Sequence, residues 1–103
     1  MQTLSGVISG TGKTLTFNND TNGVANAAAA NNGQFLVTGN NTYTGGTTIS
    51  DVRVTIQTNN TALGAAGSAV TIANGGQFFN SSGLQTMNYA FNIAGNGWVE
   101  TAG

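Results

Sequence analysis

Short runs of apolar and β-branched residues, separated by glycine and asparagine, recur along the whole chain. Within each run apolar and polar positions alternate, which is typical of a short strand that buries one face. Strong helix formers are scarce outside one alanine run, and this also favours extended chain. The pattern predicts nine strands, each three to six residues long, over residues 6–9, 14–17, 34–38, 47–50, 52–57, 69–73, 77–80, 90–94 and 97–101.

The order of these runs predicts a repeating architecture. From residue 47 onward they come in close pairs joined by a corner, which places Ile49, Ile72 and Ile93 at nearly equal intervals. Leu15 and Leu36 are separated by the same interval as Ile72 and Ile93. A repeat of about 20 to 24 residues indicates a solenoid, because a coil this small buries its apolar face only by stacking on its neighbours. We therefore expect one all-β solenoid of about four turns over residues 1–103.

The same alternation predicts which side chains form the core. A small antiparallel sandwich is the alternative architecture, since its strands also recur at intervals of roughly 8 to 12 residues. Residues 18–33, rich in asparagine and alanine, interrupt the period and are predicted to leave the coil as a loop, with a helical turn over 25–30. The predicted core residues are Leu15, Phe17, Leu36, Ile49, Val54, Ile56, Val70, Ile72, Phe79, Phe91, Ile93 and Val99.

The composition narrows the classes of function. Only 5% of the 103 residues are charged, against roughly 25% in typical globular domains. Lys13 and Arg53 are the only cations, too few for the basic surface that binds a phosphate backbone. No apolar run approaches the roughly 18 to 20 residues of a membrane-spanning helix. We expect no nucleic-acid partner and no membrane insertion by this chain.

Candidate catalytic residues are few. The acids are Asp20, Asp51 and Glu100, and the chain has no His or Cys. Asp51 and Arg53 are two residues apart and would share a strand face as half of a polysaccharide site, unless a corner separates them. No serine has a base to activate it, no acidic repeat suggests a metal site, and the "GTGKTL" segment lacks the first glycine of a phosphate-binding loop. We therefore predict no enzyme activity, no cofactor and no metal.

One contiguous segment carries a family resemblance. The sequences "GNNTYTGGTTIS" at residues 39–50 and "VRVTIQTNNTALGAAGSAVTIANGGQF" at 52–78 resemble the autotransporter-associated β-strand repeat, also called the passenger-associated transport repeat. The "GTGKTLTF" segment at 10–17 resembles the lead-in of that repeat, and residues 34–80 match best. The matching positions are Asn41, Thr42, Tyr43, Thr44, Gly45, Gly46, Thr47, Thr48, Ile49, Ala62, Leu63 and Gly64.

The sequence departs from the family pattern at two places. The asparagine- and alanine-rich stretch separates the lead-in from the motif, so we expect the lead-in to belong to the preceding coil. After the motif the family commonly has glycine followed by Thr-Leu, where this chain has "DVRVTI". Asp51 and Arg53 therefore have no counterpart in the family.

The resemblance implies a right-handed parallel β-helix from the passenger of a Gram-negative type V autotransporter. It implies a structural, secretion-promoting repeat that forms the stalk of a passenger displayed on the cell surface or secreted. The implied partners are neighbouring coils and the translocation barrel of the same protein. On this interpretation the chain is an excised piece of a larger passenger domain, and its exposed coil ends would favour self-association.

Two binding functions remain open beside the stalk. In an adhesin segment, exposed aromatic residues would stack on a glycan or a host surface, and Tyr43 and Trp98 are the candidate contacts, with Tyr89 and Phe78 as further aromatics. An ice-binding solenoid would carry Thr-x-Thr in register on one flat face. "TLT" at 14–16 and "TYT" at 42–44 fit that pattern, but later segments do not repeat it.

Overall fold

The structure is a computed structural model that describes residues 1–18, 33–73, 75–81, 83 and 86–94. Over these residues the chain forms eight short strands and no helix. The strands are β1 (Gln2–Leu4), β2 (Leu15–Asn18), β3 (Gln34–Val37), β4 (Thr47–Ser50), β5 (Arg53–Ile56), β6 (Ala69–Ala73), β7 (Gln77–Asn80) and β8 (Ala90–Ile93).

The strands form two four-stranded sheets between which the chain alternates. The first sheet has the order β1-β3-β5-β7 and the second the order β2-β4-β6-β8. Every neighbouring pair in both sheets is parallel, which excludes the antiparallel sandwich for the described residues. Each strand from β1 to β6 therefore pairs with the strand two places further along the chain. The fold is all-β over the described residues, as predicted.

The register stacks similar residues in columns that run across the strands. In the second sheet Phe17 pairs with Ile49, Ile49 with Ile72 and Ile72 with Ile93. The predicted alignment of the three isoleucines is therefore confirmed. In the first sheet a column of Phe35, Val54 and Phe78 faces the core. Paired strands lie about 4.8 Å apart, so these columns are continuous van der Waals contacts.

The buried apolar residues form one cluster between the two sheets. Six predicted core residues belong to it: Phe17, Ile49, Val54, Ile56, Val70 and Ile72. The prediction missed Val37, Val52, Ala62 and Leu63, each with no exposed surface. It missed the last three because they lie in corners, where the alternation of a strand gives no guidance.

Five predicted core residues are not buried. Leu15 is half-buried against the core cluster, while Leu36 is half-buried and lies outside it. Phe79 is 52% exposed because Phe78 takes the inward position opposite Val54. Phe91 and Ile93 lie on inward columns of β8, but no further described strand covers them. Val99 lies outside the described residues.

The strand and period predictions need three corrections. Residues 6–9 are not a strand: the first strand is Gln2–Leu4, and Val7 is 67% exposed. Leu15 and Leu36 do not align, because Leu15 pairs with Thr47 in the second sheet and Leu36 lies in the first. The first period, from Leu15 to Thr47, is therefore longer than the next, from Thr47 to Val70.

Several predictions fall largely or wholly outside the described residues. These are the loop over 18–33, of which only Asn18 and Gly33 are described, its helical turn over 25–30, and the strand over 97–101. The 10–17 segment ends in β2, which is the parallel neighbour of β4 and precedes the long period.

Candidate functional site

The "NNTYTGG" segment forms a corner that lies between two other corners of the chain. We call residues 39–46, which link β3 to β4, the central corner. On one side the amides of Thr42 and Thr44 donate to the carbonyls of Ile8 and Gly10, at 2.9 and 3.2 Å. On the other side the Ala65 amide donates to the Tyr43 carbonyl at 2.9 Å. The motif is therefore the middle layer of a hydrogen-bonded stack of three corners.

Asn41 connects the three layers through its side chain. Its Oδ1 accepts a hydrogen bond from the Ile8 amide at 2.8 Å, and its Nδ2 donates to the Ala62 carbonyl at 2.7 Å. The residue is 1% exposed. Each end of the amide thus satisfies a backbone group of a different neighbouring corner, which a buried polar side chain needs in order to be stable.

Tyr43 and Thr47 form a second buried polar contact. The Thr47 hydroxyl donates to the Leu63 carbonyl at 2.8 Å. Since that hydroxyl has one proton, the 2.6 Å contact between Tyr43 Oη and Thr47 Oγ1 has the tyrosine as donor. Burial raises the pKa of Tyr43, so the phenol stays protonated and able to donate. The two hydroxyls form a directed relay from the central corner to the next one.

Tyr89 contacts the same backbone segment from the opposite side. Its Oη accepts from the Leu63 amide at 3.2 Å and donates to the Gly64 carbonyl at 2.7 Å. Burial raises the pKa of Tyr89 to about 12. We call Tyr43, Thr47 and Tyr89 the tyrosine clamp, because Thr47, bonded by Tyr43, holds residues 63–64 from one side and Tyr89 holds them from the other.

Sequence reasoning missed Tyr89 in this role, although the sequence contains a signal for it. The chain has only two tyrosines, and their separation is twice the period that runs from Thr47 to Val70. One tyrosine therefore precedes the "ALG" segment, Ala62 to Gly64, and the other follows it at the equivalent position of the repeat. That signal becomes visible only after the period has been measured in the paired strands.

Glycines of the motif lie where a side chain would clash. A Cβ on Gly45 would lie 2.5 Å from the carbonyl carbon of Lys13 in one neighbouring corner. Gly46 has φ +97°, and its Cβ would lie 2.9 Å from the Ala69 carbonyl oxygen on the other side. A Cβ on Gly64, which has φ +101°, would lie 2.8 Å from the Tyr43 ring. Glycine is required because three layers of backbone approach one another here.

The other motif residues divide between the core and the surface. Ile49, Ala62 and Leu63 are buried apolar residues of the core cluster. Thr42 and Thr44 are exposed, and the Thr44 hydroxyl accepts a hydrogen bond from the Gly12 amide at 2.6 Å. Thr48 is half-buried and pairs with Thr16 and Thr71. All twelve positions thus belong to the corner stack or to the strand that follows it.

The two residues of the candidate polysaccharide site lie in different elements. Asp51 lies in the corner between β4 and β5 with φ 52°, whereas Arg53 begins β5. Asp51 Oδ1 is buried without a hydrogen bond, and Arg53 Nε donates to Gln77 Oε1 at 2.5 Å. Because Asp51 lies in the corner and not in the strand, strand geometry alone does not place its side chain on the face of Arg53.

The other candidate ligand contacts and acids are not brought together in a site by the described part of the structure. Tyr43 is 1% exposed, so its prediction as a ligand contact is wrong: its ring is sealed between corners and presents no surface. Trp98, Asp20 and Glu100 lie outside the described residues. Within the described part of the chain, no three His, Cys, Asp or Glu residues come together in a group that could hold a metal ion.

Comparisons with known proteins add no identification. A scan against protein-family models, a search of curated proteins and a search of solved structures each gave no match to this chain. Among the described residues, no helix is long and apolar enough to span a membrane.

Proposed function

We propose that the chain is a structural segment of a right-handed parallel β-helix with about four turns. Each turn would contain one strand of each sheet, β1 with β2 and so on to β7 with β8. The right hand follows from the strong preference for right-handed crossovers between parallel strands. The observation that carries the proposal is the central corner, whose backbone, asparagine and glycines fit between two neighbouring corners.

In this proposal the segment forms the stalk of an autotransporter passenger and promotes its secretion. The support is the resemblance of residues 34–80 to the autotransporter-associated repeat, together with the role of its motif residues in stacking. Each coil that folds outside the outer membrane adds backbone hydrogen bonds and buries apolar columns. That free energy would favour outward movement of the unfolded chain. The function is non-enzymatic, and the protein would be displayed at the bacterial surface or secreted.

The partners follow from the same geometry. The inward columns of β8 leave Ile93 76% exposed and Phe91 38% exposed. A further coil that continued the stack would cover both side chains, as β6 is covered by β8. Neighbouring coils of a parent passenger are therefore the proposed direct partners. The translocation barrel of that protein is the proposed partner in export.

A display assay tests the secretion role. The chain is placed between a secretion signal with an epitope tag and an autotransporter β-barrel, and surface epitope is measured by flow cytometry. A flexible linker of equal length replaces it in the reference fusion. We expect the chain to increase display severalfold over the linker. Equal display of the two fusions would contradict the secretion role.

A matched pair of glycine variants tests whether stacking causes the effect. Gly45→Val would force a side chain into the Lys13 backbone, at a cost of about 1–3 kcal/mol. A Cβ added at Gly6 would meet no atom within 4 Å, so Gly6→Val is the control. We expect Gly45→Val to lower display and Gly6→Val to leave it unchanged. If Gly45→Val displays like the parent fusion, the proposed role of the corner is wrong.

A second candidate function, adhesion, is favoured by one specific observation. Phe79 is an aromatic residue 52% exposed on the outward face of the first sheet, beside the Arg53–Gln77 hydrogen bond. Aromatic and arginine side chains are enriched at binding hot spots. A glycan array probed with the purified chain tests this function, with Phe79→Ala as the variant. Loss of a positive signal in Phe79→Ala supports adhesion, and an array without signal contradicts it.

A further inference from the structure

The apolar columns of the two sheets do not define a unique alignment of neighbouring coils. Ile49, Ile72 and Ile93 are identical residues at successive levels of one column. A slip of two residues between β4 and β6 would place Ile49 against Val70 and would keep every inward side chain inward. Charge does not prevent such a slip, because β4 and β6 contain no charged residue.

The buried polar contacts do depend on one alignment. The Thr47 hydroxyl reaches only the Leu63 carbonyl of the next corner, and Asn41 Nδ2 reaches only Ala62 there. From the other side Tyr89 holds the Leu63 amide and the Gly64 carbonyl. A slip of two residues moves a strand by about 6.6 Å, which is more than twice the length of a hydrogen bond. Each buried group that lost its partner would cost roughly 1–3 kcal/mol.

We propose that the tyrosine clamp selects the register of the stacked coils. In this role Tyr43, Thr47 and Tyr89 determine which alignment of β4, β6 and β8 is adopted, while the apolar columns supply stability that is similar in several alignments. A buried polar residue fixes register in coiled coils by the same logic, since misaligned states leave it without a partner. The inference rests on the stacked coils of the proposed function and not on secretion.

Engineered disulfides report the register directly, because the chain has no cysteine. Thr48 and Thr71 are paired residues of β4 and β6 on the outward face. Their Cα atoms are about 4.8 Å apart, within the range that a disulfide spans. Ala69 lies two residues earlier in β6, on the same face as Thr71, about 8 Å from Thr48 and out of reach in the native register. The slip that places Ile49 against Val70 brings Ala69 opposite Thr48. The two reporter pairs are Thr48→Cys with Thr71→Cys, and Thr48→Cys with Ala69→Cys.

The clamp is removed in the full chain by the shape-conserving changes Tyr43→Phe, Thr47→Val and Tyr89→Phe. Ile72→Val is the apolar control, because it removes one methylene from the same column and no hydrogen bond. After oxidation, the fraction of each disulfide is measured by mass spectrometry. We expect only the Thr48–Thr71 pair to form in the parent chain and in the Ile72→Val control. In the clamp-free chain we expect the Thr48–Ala69 pair to rise at least about tenfold, the ratio given by about 1.4 kcal/mol.

Circular dichroism of each variant distinguishes slipping from unfolding. If the triple variant unfolds, the single variants Tyr43→Phe and Tyr89→Phe are measured instead. A raised ratio of slipped to native disulfide in a folded single variant supports register selection. The proposal is overturned if folded variants without the clamp form only the Thr48–Thr71 disulfide, even when they are less stable. Purified protein is used throughout, so the result is separate from that of the display assay.

Discussion

Asn41 and Thr47 illustrate how single polar residues stabilise the interior of a corner. Both are at most 2% exposed, and the polar atoms of each have hydrogen-bond partners in neighbouring corners. A buried amide or hydroxyl without partners would cost more than its hydrogen bonds contribute. Asn41 therefore stabilises the stack only when three corners are in place, and Thr47 only when the central corner and the next one are. The contribution of each residue belongs to the stack rather than to its own coil.

Tyr89 should make the stability of the chain sensitive to alkaline pH. Burial raises its pKa to about 12, with the Leu63 amide opposing the shift and Tyr43 adding to it. The unfolded chain releases the same proton near pH 10, the ordinary value. The folded state holds the proton more tightly, so the stabilisation is complete below about pH 10 and is lost as the pH rises toward 12. Urea unfolding measured across this range checks the expected decline.

The Tyr89→Phe variant is the control for this decline. It removes the titrating group together with two hydrogen bonds to residues 63–64, so we expect lower stability at neutral pH. Between about pH 10 and 12 its free energy of unfolding should fall less steeply than that of the parent chain. Tyr43 is still present in this variant, so some decline persists. Equal slopes in the two proteins would show that Tyr89 is not the responsible group.

How much of the site the sequence predicted depends on the kind of residue. Adjacent glycines mark permissive backbone regardless of context, so Gly45 and Gly46 indicate a corner from the sequence alone. The sequence offers Tyr43 as a candidate ligand contact, and its burial contradicts that role. The sequence does not predict the hydrogen bonds of Asn41 and Tyr89, because their partners are distant in the sequence.

At the scale of the strand, β7 shows that a sequence with two adjacent apolar residues does not reveal which of them faces the core. Two phenylalanines follow each other in "QFFN", and strand geometry allows only one of them to face the core. Phe78 is the inward residue, with its ring centroid 5.5 Å from that of Phe91. Phe79 pairs with Thr55 on the outward face. The choice is set by the register with Val54, which the sequence alone does not contain.

Alanine substitutions at the two positions should differ in their effect on stability. Phe78→Ala removes a half-buried ring from the core, and we expect a loss of about 2–3 kcal/mol, less than that of a fully buried phenylalanine. Phe79→Ala removes an exposed ring and should change the free energy of unfolding by less than about 0.5 kcal/mol. Chemical denaturation of both variants checks the difference. Equal losses would contradict the assigned facing of β7.

The strands were predicted more accurately than the period that relates them. Seven predicted runs coincide with strands to within one residue at each end, from 14–17 through 90–94. The strand predicted at 6–9 is wrong, because these residues form a corner whose backbone is hydrogen-bonded to the central corner. Leu15 and Leu36 were aligned on the assumption of a constant period, but the period that begins at Leu15 is longer than the others. Local composition specifies a strand, whereas the length of a period is set by connections that vary.

At the scale of the whole molecule, the stack is held together with hardly any charge. The chain has a net charge of −1, and the end strands β1, β2, β7 and β8 contain no charged residue. Charged residues on edge strands normally discourage pairing with other chains. The described stack lacks that protection where β8 exposes Ile93 and Phe91. The same surface that we propose for a neighbouring coil would therefore accept a second copy of the isolated chain.

A charge introduced on β8 should reduce this self-association when it points along the stack. Ile93→Lys places an ammonium group on the exposed inward column, where association would bury it without a partner. Asn92→Lys adds the same charge on the outward face of the same strand and serves as the control. Light scattering over a concentration series should give a lower apparent mass for Ile93→Lys than for the parent chain or Asn92→Lys. If the parent chain is monomeric at all concentrations, the exposed column does not promote association. If both lysine variants dissociate equally, net charge is responsible and the column is not the contact.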